Sequence, residues 1–486
     1  MQRTLQWLCG GEGHLKEQIF RGGIWLLMGN VVTRIAGFVK LAILARLLTP
    51  TDFGLLGIAL LLLNWLEQFS QTGFSKALIR NAGDIEPYLN TVWTVQVIRA
   101  TGLAAVLLLG APVAVWFFAS PEAVPIIRAL APLVLLQGLT NPAVIYLTRQ
   151  LDFQRIVQWN MWQVGSSLVV SIPLAFVLRN VWALILAMLV GQAVSTMVSY
   201  RLHAFRPRLC FDRQRAREMT QFGKWIFWRN VLVSVVGSLD SLLVGKLLGV
   251  SALGLYQVAR RLALLPRREL IQILQRLTFP AFAQIRQHER LRRACVQVLS
   301  LTLLLILPIA ALLLVFPELI IRTLLGERWV AVVPLVQILT IGAGLQTLMG
   351  IAVPLFEGIG RPDVALKTWG VRLALSTLLL YPSVRMWGIN GAALALIGTE
   401  LVLVVLQFYL LRRLIGLRIL QGVATCRLGL IAALPMLVVG FLTIWCDLPM
   451  PGEVGLGLTA VVGSGVLTWR FLRPYLRCFR SGVANR

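Results

Sequence analysis

Four arginines crowd into nine residues around Pro266: Arg260, Arg261, Arg267 and Arg268, in the otherwise apolar stretch LGLYQVARRLALLPRRELIQIL. A guanidinium is a planar, permanently charged fork of donors, shaped to take phosphate or carboxylate oxygens two at a time. In lipid, one such group costs about 2.5–3.5 kcal/mol on insertion scales, so it persists where it faces a cavity, pairs with an anion or does work. Other ionisable residues in apolar stretches are Arg34, Lys40, Arg99, Arg128, Lys224, Arg229, Asp240, Arg276, Glu357, Arg372 and Glu400. Arg128, Lys224 and Arg276 fall near the ends of their stretches, where long side chains reach back to water.

Helical spacing groups the polar residues. Asn30, Arg34, Gly37 and Leu41 share one face, and Asn230, Ser234, Gly237 and Ser241 share another. Two readings are open: close packing of helices through small residues, or the wall of a wet cavity. Arg261, Leu264, Leu265, Arg268, Gln272 and Gln275 form a third face, with Arg260 and Arg267 beside it. That face suits either a helix displaced to an interface or the wall of a cationic cleft. A cleft of this kind would capture an anionic head group. Its candidate binding residues are Arg34, Arg267, Arg268, Arg261 and Arg99, with Asn30 and Asn230, and no carboxylate cluster offsets the charge. Lys40 and Asp240, two hundred residues apart, are candidates for an ion-paired gate; the alternative is Asp240 satisfied by a neighbouring arginine.

Covalent chemistry has no comparable constellation. There is no Walker A sequence, no GxGxxG after a strand, no HExxH and no GxSxG. Asp52-Phe53-Gly54 spells a kinase triplet without the other kinase parts. The six cysteines form no CxxC pair and the three histidines lie far apart, so neither a disulfide framework nor a metal or other cofactor is expected. The protein is expected not to be an enzyme.

The elements that must position these residues are membrane helices. Of 486 residues, 58% are hydrophobic and 14% charged, with a mean hydropathy of +0.79; a soluble chain carries about 25% charged residues. This excludes a soluble enzyme, a disordered chain and a secreted disulfide scaffold. Fourteen candidate spans are predicted, at 22–48, 53–75, 90–118, 123–147, 157–178, 181–201, 222–248, 253–283, 294–321, 331–357, 364–386, 389–411, 424–446 and 454–472. With the N-terminus inside, the inner loops hold twenty-eight Lys and Arg against six outside: Arg46, Arg179, Lys246, Arg322, Arg328 and Arg385. That asymmetry sets the orientation, with both termini cytoplasmic. It also accounts for the net charge of +26 without nucleic acid. Residues 1–21 read as a cytoplasmic lead-in rather than a signal peptide.

The chain repeats itself at an offset of 200. Gly23, Trp25, Asn30, Val31, Gly37, Leu47, Leu48, Gly54, Leu55 and Ala59 recur at 223, 225, 230, 231, 237, 247, 248, 254, 255 and 259. Six helices separate the copies, so both cross the membrane in the same sense. The expected architecture is all-α and polytopic. It has two six-helix lobes, 22–202 and 222–413, related by a pseudo-twofold along the membrane normal. A basic linker, 203–221, joins them, and two helices with a basic tail, 414–486, follow.

LDSLLVGKLLGVSALGLYQVARRLALLP (239–266), LTFPAFAQI (277–285), ARLLTPTDFGLLGIA (45–59) and FEGIGRPDVALK (356–367) together resemble the polysaccharide flippases of the multidrug/oligosaccharidyl-lipid/polysaccharide exporter superfamily. The resemblance runs over about residues 20–415. It implies a two-lobed helical bundle in a bacterial inner membrane. It also implies transfer of an undecaprenyl-pyrophosphate-linked oligosaccharide from the cytoplasmic to the periplasmic leaflet, for O-antigen, lipopolysaccharide or exopolysaccharide synthesis. The expected partners are the lipid-linked anionic glycan, membrane lipid, and a polysaccharide polymerase or glycosyltransferase. The alternatives are a small-molecule exporter of the same superfamily and a membrane enzyme of polysaccharide assembly.

Overall fold

The computed structural model describes residues 13–70, 74, 78–79, 83–285, 287–417, 419–446 and 450–484. Among them every regular element is helical: α1 (Gly13–Leu47), α2 (Pro50–Phe69), α3 (Glu86–Phe118), α4 (Ala123–Ala129), α5 (Ala131–Gly138), α6 (Ile145–Arg149), α7 (Phe153–Leu178), α8 (Trp182–Leu202), α9 (Arg213–Leu248), α10 (Val250–Gln284), α11 (His288–Val315), α12 (Pro317–Leu324), α13 (Val333–Gly358), α14 (Pro362–Ile415), α15 (Ile419–Cys446) and α16 (Met450–Ala484), with short 3-10 turns at Pro142–Val144 and Glu327–Val332.

The solvent for which this fold is built is lipid. Leu109, Trp116 and Val177 are 80%, 81% and 78% exposed, while Thr91, Ser171, Thr302, Thr347 and Glu400 are buried. Apolar side chains outside and hydroxyls inside is the patterning of helices whose backbone groups are satisfied internally and whose surfaces meet hydrocarbon. Eleven helices among the described residues are long and apolar enough to cross a membrane, or twelve if one bent pair counts as a span.

The fourteen expected spans differ from this number at identifiable places. Span 123–147 is broken: α4 and α5 meet the Pro142–Arg149 segment at 62°. Asn141 makes the break, its side chain accepting from the Ala143 N–H while Pro142 removes a backbone donor. Spans 364–386 and 389–411 are the two halves of α14, separate helices joined at a kink with non-helical backbone at Trp387 and Gly388 and so counted once. Gly388 has φ +57, a conformation that glycine adopts without a Cβ penalty. Helix α10 forms over the expected span 253–283, but its arginines make it too charged to count as an apolar span.

The described residues fall into two compact units that divide at Gly254–Leu255. In the first, α1 packs on α7, α7 on α8, α3 on α5, and α9 on α2. The α1–α2 junction explains Asp52. Thr49 and Asp52 form a capping box: the Asp52 N–H donates to Thr49 Oγ1 (3.3 Å) and the Thr49 N–H donates to Asp52 Oδ2 (2.9 Å). Asp52 Oδ1 also accepts from the Val181 N–H at 3.0 Å, tying the start of α2 to the start of α8. The kinase-like triplet is a helix cap.

Glycines of the repeat sit at the tightest packing in this unit. A β-carbon on Gly54 would collide with the Val250 carbonyl oxygen, and one on Gly254 would collide with the Pro50 carbonyl oxygen. Position 50 corresponds to 250 and 54 to 254, so the two contacts are reciprocal, the form that a local twofold imposes. In the second unit α11 packs on α15, α13 on α14, and α15 on α16.

Candidate functional site

In the first unit, α1 carries Asn30 and Arg34 with both side chains exposed, and Lys40 half-buried one and a half turns further on. Lys40 Nζ donates to Ser167 Oγ on α7 at 2.8 Å. Gly29, packed directly against Val157 of α7, brings the two helices close enough for that bond. Asp240 on α9 is 3% exposed and accepts from the Ser241 N–H at 2.7 Å. Helix α9 itself is held to α2 by Trp65, whose indole N–H donates to Ser238 Oγ at 2.5 Å.

Arg99 on α3 has a polar surround. Its Nη1 donates to Ser70 Oγ at 3.2 Å, and Glu67, one turn before Ser70, supplies the facing negative charge together with a contact to Gln137 of α5. Arg99 is thus offset by a single carboxylate. Glu67 is the polar residue that sequence reasoning missed. The signal was present, since Glu67 lies well inside the expected span 53–75.

In the second unit, Arg267 lies half-buried on α10. Its Nη2 donates to the Gln346 carbonyl of α13 at 3.3 Å, and its Nε is buried with no hydrogen-bond partner among the described residues. Gly350, packed directly on Ile271, holds α13 against α10 at this level. Arg261 is exposed and Arg260 half-buried on the same helix. The side chains of Arg268 and Asn230 lie outside the described residues. Arg372 and Glu400, 8% and 0% exposed, form a buried ion pair across α14, with the Arg372 guanidinium also 5.3 Å from the centre of the Trp369 ring.

Three of the cations expected on the outer side have close neighbours. Lys246 lies 4.7 Å from the Phe117 ring centre, Arg385 lies 5.6 Å from that of Tyr381, and Arg322 bonds Glu318 at 2.8 Å and Glu327 at 3.3 Å.

Many apolar helices, short connections and ionisable groups held among them define a multi-pass membrane protein. The fold agrees with solved transporters: a lipid II flippase MurJ in an inward closed conformation (TM-score 0.72, 13% identity, 93% of this chain and 100% of that one) and an inward-facing multidrug resistance MATE family transporter of the MOP superfamily (TM-score 0.65, 15% identity, 81% and 98%). The sequence profile described as "Polysaccharide biosynthesis protein" matches residues 43–334, and the chain belongs to that family. It is similar to the succinoglycan biosynthesis transport protein ExoT of Rhizobium meliloti (26% identity, covering 73% of this chain and 72% of ExoT). It is also similar to the lipopolysaccharide biosynthesis protein WzxC of Escherichia coli (23% identity, 88% of each chain).

Proposed function

We propose that this protein is a flippase that moves an undecaprenyl-pyrophosphate-linked oligosaccharide from the cytoplasmic to the periplasmic leaflet for surface polysaccharide synthesis. The membership of a polysaccharide biosynthesis family carries this reading, and relatives named for succinoglycan transport and lipopolysaccharide biosynthesis support it. The chemistry is consistent. A pyrophosphate brings several negative charges into lipid, and arginines on apolar helices present forks that match it. Arg267, with one guanidinium N–H facing no protein acceptor among the described residues, supports a role in holding such an anion. No bond is made or broken. The transporter works by alternating access through a cationic cleft, in lobes 22–202 and 222–413, with both termini cytoplasmic in a bacterial inner membrane.

Arg34, Arg267 and Arg268 are the proposed head-group ligands, with Arg261, Arg99, Asn30 and Asn230 beside them. Replacing Arg34 and Arg268 together by alanine is expected to abolish surface polysaccharide at unchanged protein level. Normal polysaccharide in that double variant rejects the assignment. Purified protein in liposomes separates this reading from an enzyme, since translocation without glycan elongation is the expected result.

Lys40 and Asp240 are the proposed gate. Single charge reversals at either position are expected to stop export, and the double reversal Lys40→Asp with Asp240→Lys to restore a measurable share of it. Equal loss in all three variants, by surface polysaccharide assay, removes the gate.

A further inference from the structure

The segment between α8 and α9 is the most basic inner connection near mid-chain, and a charged loop of that kind would ordinarily be left in water. It is instead built against the first unit. His203 stacks on Tyr146, ring centres 5.0 Å apart, and Asn141 Nδ2 donates to the Phe205 carbonyl at 2.9 Å. Phe205 packs on the apolar cluster of Phe74, Leu78, Ile85, Leu89, Val92 and Ala143. The following backbone is then clipped to one face of α3. The Arg208 N–H donates to Asn90 Oδ1 (2.8 Å), the Cys210 N–H to Thr94 Oγ1 (2.9 Å) and the Asp212 N–H to Thr91 Oγ1 (3.3 Å). Thr94 Oγ1 in turn donates to the Cys210 carbonyl at 3.0 Å.

The order of those contacts, 90 then 94 then 91, means that the segment dips one turn along α3 and returns, with Cys210 at the tip. Thr94 lies eight residues into α3, about 12 Å along its axis from the helix start. The tip therefore lies alongside the first turns of α3 rather than beyond its end. Tyr88, Trp93, Tyr146 and Tyr200 cluster at the same end of these helices, as aromatic rings do at the headgroup level.

At the tip the apolar side chains face outward. Leu209 is 71% exposed and Phe211 is 56% exposed. Arg206, Arg208 and Arg213 beside them are exposed as well, and Asp212 is the one carboxylate in the segment. Backbone groups satisfied by α3, two protruding apolar side chains and a rim of arginines form the arrangement that seats a segment in an interface carrying negative charge. We propose that residues 206–213 are a lipid-binding tip: Leu209 and Phe211 enter the acyl boundary of the inner leaflet, and Arg208 and Arg213 hold anionic phospholipid head groups. This goes beyond the transport reading and does not depend on it.

Cys210 provides the test. In full-length protein with the other five cysteines replaced by alanine, a small environment-sensitive fluorophore is attached at Cys210. The protein is placed in nanodiscs of phosphatidylethanolamine with or without phosphatidylglycerol. The expected result is a blue-shifted label, quenched by lipids carrying a doxyl group near the head-group end of the chain and shielded from aqueous iodide. The Leu209→Ser/Phe211→Ser variant is expected to lose most of that quenching. Phosphatidylglycerol retained by the unlabelled protein, read by native mass spectrometry, is expected to fall about five-fold for each of Arg208→Gln and Arg213→Gln. A label quenched by iodide and indifferent to doxyl lipids overturns the proposal, as does undiminished phosphatidylglycerol in the double arginine variant.

Discussion

Replacing Glu400 by leucine while Arg372 remains is expected to destabilise the protein by about 3–5 kcal/mol, because an uncompensated charge is left buried. Glu400 is fully buried and takes the Arg372 Nη2 donor on one carboxylate oxygen, while its other oxygen has no hydrogen-bond partner among the described residues. Removing both partners with residues of similar volume, Arg372→Met with Glu400→Leu, is expected to recover most of the loss, since a well-packed apolar pair often does as well as a buried ion pair. Thermal unfolding in detergent, followed by tryptophan fluorescence, distinguishes the cases. A single variant that melts with the wild type would mean that the pair does not brace α14.

A second large effect is expected at the reciprocal glycines. In Gly54→Val or Gly254→Val the new side chain has to displace a backbone carbonyl, of Val250 or Pro50 respectively. A carbonyl fixed in a helix cannot rotate away as a side-chain tip can. The cost is expected to reach or exceed about 3 kcal/mol, the upper end of ordinary overpacking. Because the contacts are reciprocal, the two variants should behave alike, and the double variant should lose less than the sum of the singles, since one separation of the helices relieves both clashes. The comparison is made on melting temperature and surface polysaccharide in parallel. Additive losses would show that the two glycines act independently.

These two sites were unequally legible in sequence. Arg372 and Glu400 both stand out as charges in apolar stretches, and their partnership was also written there. They are fourteen residues either side of position 386, beside the Trp387–Gly388 break, so folding back at that break brings them to one depth. Gly54 and Gly254 appear in the repeat as aligned identities, but identity alone does not say that the copies touch. Glu67 needed only the insertion argument already applied to Arg99. The dipping segment 206–213 was not legible, because its shape comes from Asn90, Thr91 and Thr94, more than a hundred residues away, and a run of arginines reads locally as a solvated loop. Asn141-Pro142 carried a visible break signal inside a stretch whose overall apolarity argued for one straight span.

On the proposed orientation, three outward cations have a bearing on the end of the proposed cycle. Lys246 rests on Phe117, Arg385 on Tyr381, and Arg322 is shared between Glu318 and Glu327. For a negatively charged cargo on the proposed route, these three residues offer little on the far side to cling to. On the proposed orientation the sparse outward charge is further muted by its own neighbours, so departure would not be slowed by recapture, and the unevenness between the two faces would be steeper than a tally of basic residues suggests.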